Sequence, residues 1–259
     1  MTWSALGYRF GLSAEVLRSE PSAVALLEGL LEGPYYGSAE VADLSTELSC
    51  GGPEGLAQFI ARVNAGAMAA AEGHLLLHAG AVAWADGRVV VLCGPSGSGK
   101  TTLTGLLVGS GLAYVTDETV CVDPHSLRVT PFRKPLSIKG GSAALFPQLE
   151  EYAATAAGPD GPWLLPPSAL AGAPMPTVSL RAALLIFPTF RVGTETRAER
   201  LSEARSAYLL GSNSSRLSRL RGGALEGLGR VARRVPAFSL VHAGGTSLTS
   251  VVRELLEAA

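Results

Sequence analysis

The 259-residue chain reads as an α/β protein in which helices flank a mixed sheet, led by a small α+β unit. Three observations predict this. Residues 89–93 form an unbroken apolar strand that runs into a glycine-rich loop and then an apolar-faced helix. That strand is the second arm of a hairpin, because Ala85-Asp-Gly87 separates two apolar runs, and Asp-Gly is a strong tight-turn signal. The loop therefore hangs from an antiparallel pair, where a fully parallel sheet would be the common arrangement. The first 72 residues combine strand-like alternation with helical spacing, which sets a leading unit (1–72) apart from a larger unit (73–259).

In the leading unit, residues 6–12 alternate like a strand and residues 22–31 have helical apolar spacing, broken by Pro34-Tyr-Tyr-Gly37. Residues 53–71 read as a helix, with Pro53 near its start and Leu56, Phe59, Ile60 and Val63 on one face. In the larger unit, 75–84 and 88–93 are strands, and His78 falls in the middle of the first. A helix begins near Lys100 and a short strand covers 112–116. Residues 119–122 and 127–131 form another hairpin, turning at Asp123-Pro-His-Ser126. Six prolines between 157 and 177 exclude helix and sheet interior there. Strand character returns at 180–187, helices are expected at 202–210 and 217–231, a closing strand at 238–241, and a last helix at 248–256. Ten arginines against four glutamates between 191 and 234 read as solvated helix faces.

A net charge of −1 gives no global field toward nucleic acid or a membrane surface, so neither is expected as a partner. No apolar run approaches the roughly 20 residues of a membrane span, and no signal sequence is recognisable. Cys50, Cys93 and Cys121 are scattered and odd in number, which argues against a disulfide framework or zinc site and for a reducing, cytoplasmic setting. The chain has eighteen arginines but three lysines: Lys100, Lys134 and Lys139. All three lie within forty residues of the glycine loop, and a compact flexible ammonium is a different tool from a planar guanidinium.

The loop itself is Gly94-Pro95-Ser96-Gly97-Ser98-Gly99-Lys100-Thr101-Thr102, of the form G-x-x-x-x-G-K-T. Its glycines let backbone N–H groups converge on phosphate oxygens, and the following helix adds its positive end. Lys100 is expected to reach the β- and γ-phosphates of a nucleoside triphosphate, and the Thr101 hydroxyl to bind Mg²⁺. Strand, loop and helix in this order predict ATP with Mg²⁺ as ligands.

Phosphoryl transfer also needs charge neutralisation and a proton acceptor. Asp117 and Glu118 end the strand after the loop helix, seventeen residues beyond Lys100, and are candidates for metal ligation and for the general base. His78, on the neighbouring strand, is a candidate to tune them. Arg133, Lys134 and Lys139 are candidate contacts to the transferring oxygens or an anionic acceptor. His74, His125 and His242 have no partner identifiable from sequence.

These residues together resemble the HPr kinase/phosphorylase family, whose nucleotide domain is PEP carboxykinase-like. The resemblance covers about residues 74–140, through Leu77-His-Ala-Gly-Ala-Val82, the loop, and Tyr114-Val-Thr-Asp-Glu118. It implies catalytic roles for His78, Lys100, Asp117 and Glu118, with Thr101, Asp117 and Glu118 about the metal. Glu118 stands where the family has a second Asp, so the base falls to either carboxylate. Leu184-Leu-Ile-Phe187-Pro, Asn213 and Arg234-Val-Pro-Ala-Phe-Ser-Leu240 are similar to HPr-kinase homologues encoded with peptide-tailoring genes, including kinases of lasso-peptide precursors. The family's arginine- and glycine-rich signature is not recognisable after residue 140, so HPr and phosphorolysis are not implied. The resemblance thus implies a cytoplasmic ATP-dependent kinase acting on a serine of a peptide or protein, with homo-oligomerisation left open. A small-molecule hydroxyl kinase and an ATPase switch are the alternatives.

Overall fold

The computed structural model describes residues 2–6, 8–12, 44–46, 53–156, 161–215, 217, 223–244 and 248–258. The helix expected at 22–31 and its break at 34–37 lie outside them. The chain divides into two compact units, one of residues 1–71 with 132–170 and one of residues 72–131 with 171–259. Residues 132–170, grouped by the sequence reading with 73–259, cluster with the leading segment.

In the first unit, strands β1 (Thr2–Ala5) and β2 (Tyr8–Leu12) form a hairpin, and β3 (Leu44–Thr46) pairs parallel to β2. Helix α1 (Pro53–Ala70) packs on β2, with Phe59 edge-on to Phe10.

The second unit is α/β, and its strands form two sheets. Strands β4 (Leu75–Leu77), β5 (Ala79–Ala83), β6 (Arg88–Cys93), β7 (Ala113–Thr116), β8 (Val120–Val122) and β9 (Val129–Thr130) surround helix α2 (Lys100–Gly109) in sequence. In the first unit again, β10 (Leu136–Ile138) and β11 (Trp163–Leu165) pair antiparallel, with the four-residue helix α3 (Gly140–Ala143) after β10. The proline-rich stretch thus carries a strand that its composition argued against. Prolines 162 and 166 bracket an apolar tripeptide whose own N–H groups remain available for pairing.

The second unit continues with β12 (Arg181–Phe190), β13 (Arg197–Arg200), α4 (Glu203–Ser212), β14 (Ser214–Ser215), α5 (Ala224–Arg234), β15 (Ala237–His242) and α6 (Leu248–Glu257). Its main sheet has the order β13-β15-β12-β6-β5-β7, and β14-β4-β8-β9 form a second sheet. Strand β12 runs parallel to both β6 and β15, whereas β5 is antiparallel to β6 and β7 is antiparallel to β5. The sheet is therefore mixed. Arg197–Arg200, part of the stretch read as solvated helix faces, is instead an edge strand whose charged side chains discourage further pairing.

Val89, Val91 and Cys93 from β6 join Leu185, Phe187, Leu210, Leu228 and Val231 in one buried cluster, which places α4 and α5 on that face. Helices α2 and α6 contact each other, and pack against β6 and β12 respectively. Burial on both faces explains why β6 reads as a continuous apolar run. Among the described residues no helix is long and apolar enough to cross a membrane.

Candidate functional site

The topology directs four chain segments to one edge of the main sheet. Strands β6, β7, β12 and β15 share a direction, so residues at and just beyond their carboxyl ends gather there: the glycine loop, Asp117, Phe190 and His242. Strand β5 runs the other way and brings its first residue, Ala79, opposite Cys93. Ligands of open α/β sheets sit outside such carboxyl ends.

Within the loop, Gly97 and Gly99 have φ of 83° and 92°, in the left-handed region that disfavours a Cβ. Gly99 leads into α2, whose first turn has neither a side-chain cap nor an acidic residue. The exposed peptide N–H groups and positive helix end there suit an anion. Lys100 is buried, and its Nζ donates to the carbonyls of Gly94 at 2.6 Å and Pro95 at 2.9 Å, which folds the ammonium back over the loop.

The Thr101 hydroxyl donates to the carboxylate of Asp117, 3.0 Å from Oδ2 and 3.2 Å from Oδ1. Asp117 is 2% exposed, and a buried carboxylate demands such partners. The turn that carries it is pinned by Thr116, whose buried hydroxyl donates to Thr119 O at 3.0 Å. Gly80 supplies clearance: a Cβ there would lie 2.1 Å from Thr104 Oγ1 and 3.5 Å from Asp117 Oδ1. Thr116 and Gly80 are positioning residues that no motif singles out in the sequence, although both lie within the segments around the loop.

Glu118 is exposed and adopts φ 78°. Its carbonyl accepts from Ala79 N–H at 3.2 Å and from His78 Nδ1–H at 3.2 Å. Since a carbonyl only accepts, the His78 proton sits on Nδ1, leaving Nε2 as the acceptor. His78 is not in mid-strand. It forms the bend between β4 and β5, where the chain passes from one sheet to the other and its N–H bonds Asn213 O at 2.6 Å. Burial lowers its pKa first and the Lys100 ammonium second, against the opposing pull of Glu118 and Asp117. The imidazole therefore senses the loop lysine and both carboxylates at once. Hydrogen bonds link Thr101 to Asp117 and His78 to the adjoining Glu118 backbone, and Lys100 starts the helix that carries Thr101.

No protein-family model and no curated protein matches this chain.

Arg133, Lys134 and Lys139 belong to the first unit. Lys134 is buried just before β10, Arg133 is half-buried, and Lys139 is exposed at the start of α3. Burial pushes the thiols of Cys93 and Cys121 up to about 12, so neither offers a thiolate near neutral pH.

The cluster offers backbone N–H groups and an ammonium for phosphate oxygens, and hydroxyl and carboxylate oxygens for a hard cation. Among the described residues no three His, Cys, Asp or Glu side chains form a metal cage. Mg²⁺ needs none, because it is usually held by one or two carboxylates together with phosphates and water.

Proposed function

We infer that this chain is an ATP-dependent kinase that moves a γ-phosphoryl group to a hydroxyl, the acceptor being a serine of a peptide or protein. The reading includes a PEP carboxykinase-like, HPr-kinase-type arrangement for the nucleotide-binding unit. The observation that carries it is the Thr101–Asp117 hydrogen bond beside the loop lysine. It joins the two oxygen donors that the phosphate loop and the following strand would present to one cation.

Mg²⁺ and ATP fit the residues present: an uncapped helix end for anionic oxygens, and a hydroxyl paired with a carboxylate for the metal. Bound there, they supply the transferable phosphoryl group and the cation that balances its charge. The loop N–H groups hold the phosphates in place. Lys100, which donates to two loop carbonyls, would hold phosphate oxygens in their place, because an ionised acceptor makes the stronger bond. Asp117 and Thr101 would hold the cation together, and Asp117 is the first candidate to take the proton of an entering hydroxyl. Glu118 is the second carboxylate, on the exposed side of the turn. His78 acts as a positioning residue, holding the Glu118 backbone through Nδ1.

The test is incubation with γ-labelled ATP, Mg²⁺ and a pool of serine-containing peptides. Label on serine, absent with Asp117→Asn, is the expected result. Label solely in inorganic phosphate supports an ATPase, and label on a small alcohol supports a small-molecule kinase.

A further inference from the structure

His242 ends β15 and is 3% exposed. Gly244 N–H donates to its Nδ1 at 3.3 Å, so the neutral ring carries its proton on Nε2. That Nε2 is buried and has no hydrogen-bond partner among the described residues. Native proteins rarely leave a buried donor unsatisfied, and such a group calls for an acceptor that the described residues do not provide.

The surroundings indicate what that acceptor is. A methyl group placed on Gly99 would lie 3.4 Å from both Cε1 and Nε2 of His242, so this edge of the ring faces the residue that leads into α2. Phe190 stands edge-to-face against the imidazole, with centroids 5.8 Å apart, and fixes its plane. The orphan N–H therefore points at a helix end that has no side-chain cap and no acid in its first turn. Lys100 begins the same helix. The uncapped helix end and the imidazole N–H are both donors, so the acceptor that suits them together is an anionic oxygen.

We propose that His242 is a further phosphate-binding residue, whose Nε2–H donates to an oxygen of the polyphosphate chain seated on residues 94–101. This rests on the nucleotide-binding reading given above. The ligand class is the polyphosphate rather than the base, because the donor faces the loop's phosphate-binding end. Burial lowers the pKa of His242, which keeps the ring neutral at pH 7 and makes its contribution a directed hydrogen bond rather than a charge. The small residue at 99 acquires a second purpose, since a side chain there would come between ring and ligand.

Titration calorimetry with Mg²⁺-AMP-PNP and with Mg²⁺-tripolyphosphate tests this on wild type, Lys100→Ala, His242→Phe and His242→Gln. Phenylalanine keeps the ring packing against Phe190 and removes the donor, whereas glutamine keeps an N–H. His242→Phe is expected to weaken both ligands about tenfold to a hundredfold, as for a lost hydrogen bond to a charged group, with His242→Gln restoring most of the loss. In wild-type protein, saturating Mg²⁺-AMP-PNP should also move the Nε2 nitrogen and proton resonances of His242, a readout that stands even if the Phe variant does not fold. Should wild type bind, Lys100→Ala fail to bind, and both His242→Phe affinity and the Nε2 resonances stay unchanged, this inference is overturned while the nucleotide reading survives. Absence of binding by wild type overturns both.

Discussion

The Thr101 hydroxyl, one residue into the helix after the glycine loop, hydrogen-bonds both carboxylate oxygens of Asp117 at 3.0 and 3.2 Å. Sixteen residues separate the two in sequence, yet they lie on consecutive elements of one strand-loop-helix-strand unit. Asp117→Asn keeps the shape and one carbonyl acceptor but removes the charge. Nucleotide affinity should change little without Mg²⁺, while phosphoryl transfer should fall about 10²–10⁴-fold, the cost of losing a general base. Single-turnover kinetics with and without the metal separate these effects. A tenfold loss alone would assign Asp117 a positioning role.

Gly80 is the tightest contact beneath this pair. A methyl group there would meet Thr104 Oγ1 at 2.1 Å, so the hydroxyl would have to turn away or α2 move off β5. Gly80→Ala should therefore destabilise the protein by about 1–3 kcal/mol, the range for overpacking a filled interior. The double variant Gly80→Ala with Thr104→Ala removes the obstructing hydroxyl and should recover most of the lost stability in chemical denaturation. An unaltered midpoint in the single variant would contradict the account.

The loop, its helix and the Asp117-Glu118 turn were legible in the sequence because they are local: glycine spacing, apolar runs and an acidic strand end all lie within about 30 residues. Less local features were not. His78 looks like a strand residue, since Leu75 to Ala83 is nearly all apolar. The break arises from the Asn213 carbonyl, 135 positions later, capturing its N–H. His242 had no visible partner in sequence because its relation to Gly99 exists only once β15 lies beside β12 and β12 beside β6. Arg197–Arg200 shows no apolar alternation because an exposed edge strand need bury neither face.

Glu118 holds φ 78°, a conformation disfavoured for a residue with a side chain. Backbone strain retained beside a candidate site is consistent with use of that side chain. Glu118→Gly relieves the strain and should be at least as stable as wild type, by about 0.5–1 kcal/mol. Glu118→Ala keeps the strain and should gain nothing. Both should reduce transfer if the second carboxylate contributes. Thermal denaturation beside the transfer assay tests the two halves separately.

Acid should destabilise the fold through half-buried His78 and buried His242. Burial lowers the pKa of both His78 and His242 from the ordinary 6.5, so the unfolded chain binds protons at a higher pH than the folded one. Their contribution is fully present above about pH 6.5 and is lost as pH falls below it. His242→Phe lacks one of these groups, so any stability deficit it has relative to wild type at pH 8 should shrink at pH 5. Denaturant midpoints across that range give the answer, and a deficit that widens in acid would reverse the sign argued here.

The most direct test of the transfer centre follows the γ-phosphoryl group of labelled Mg²⁺-ATP in a single turnover, with wild type and Asp117→Asn compared at equal nucleotide occupancy. The account predicts phosphoserine on the peptide acceptor with wild type and a rate reduced at least a hundredfold with Asp117→Asn. Transfer at an equal rate by both, or label released by wild type solely as inorganic phosphate, would contradict it.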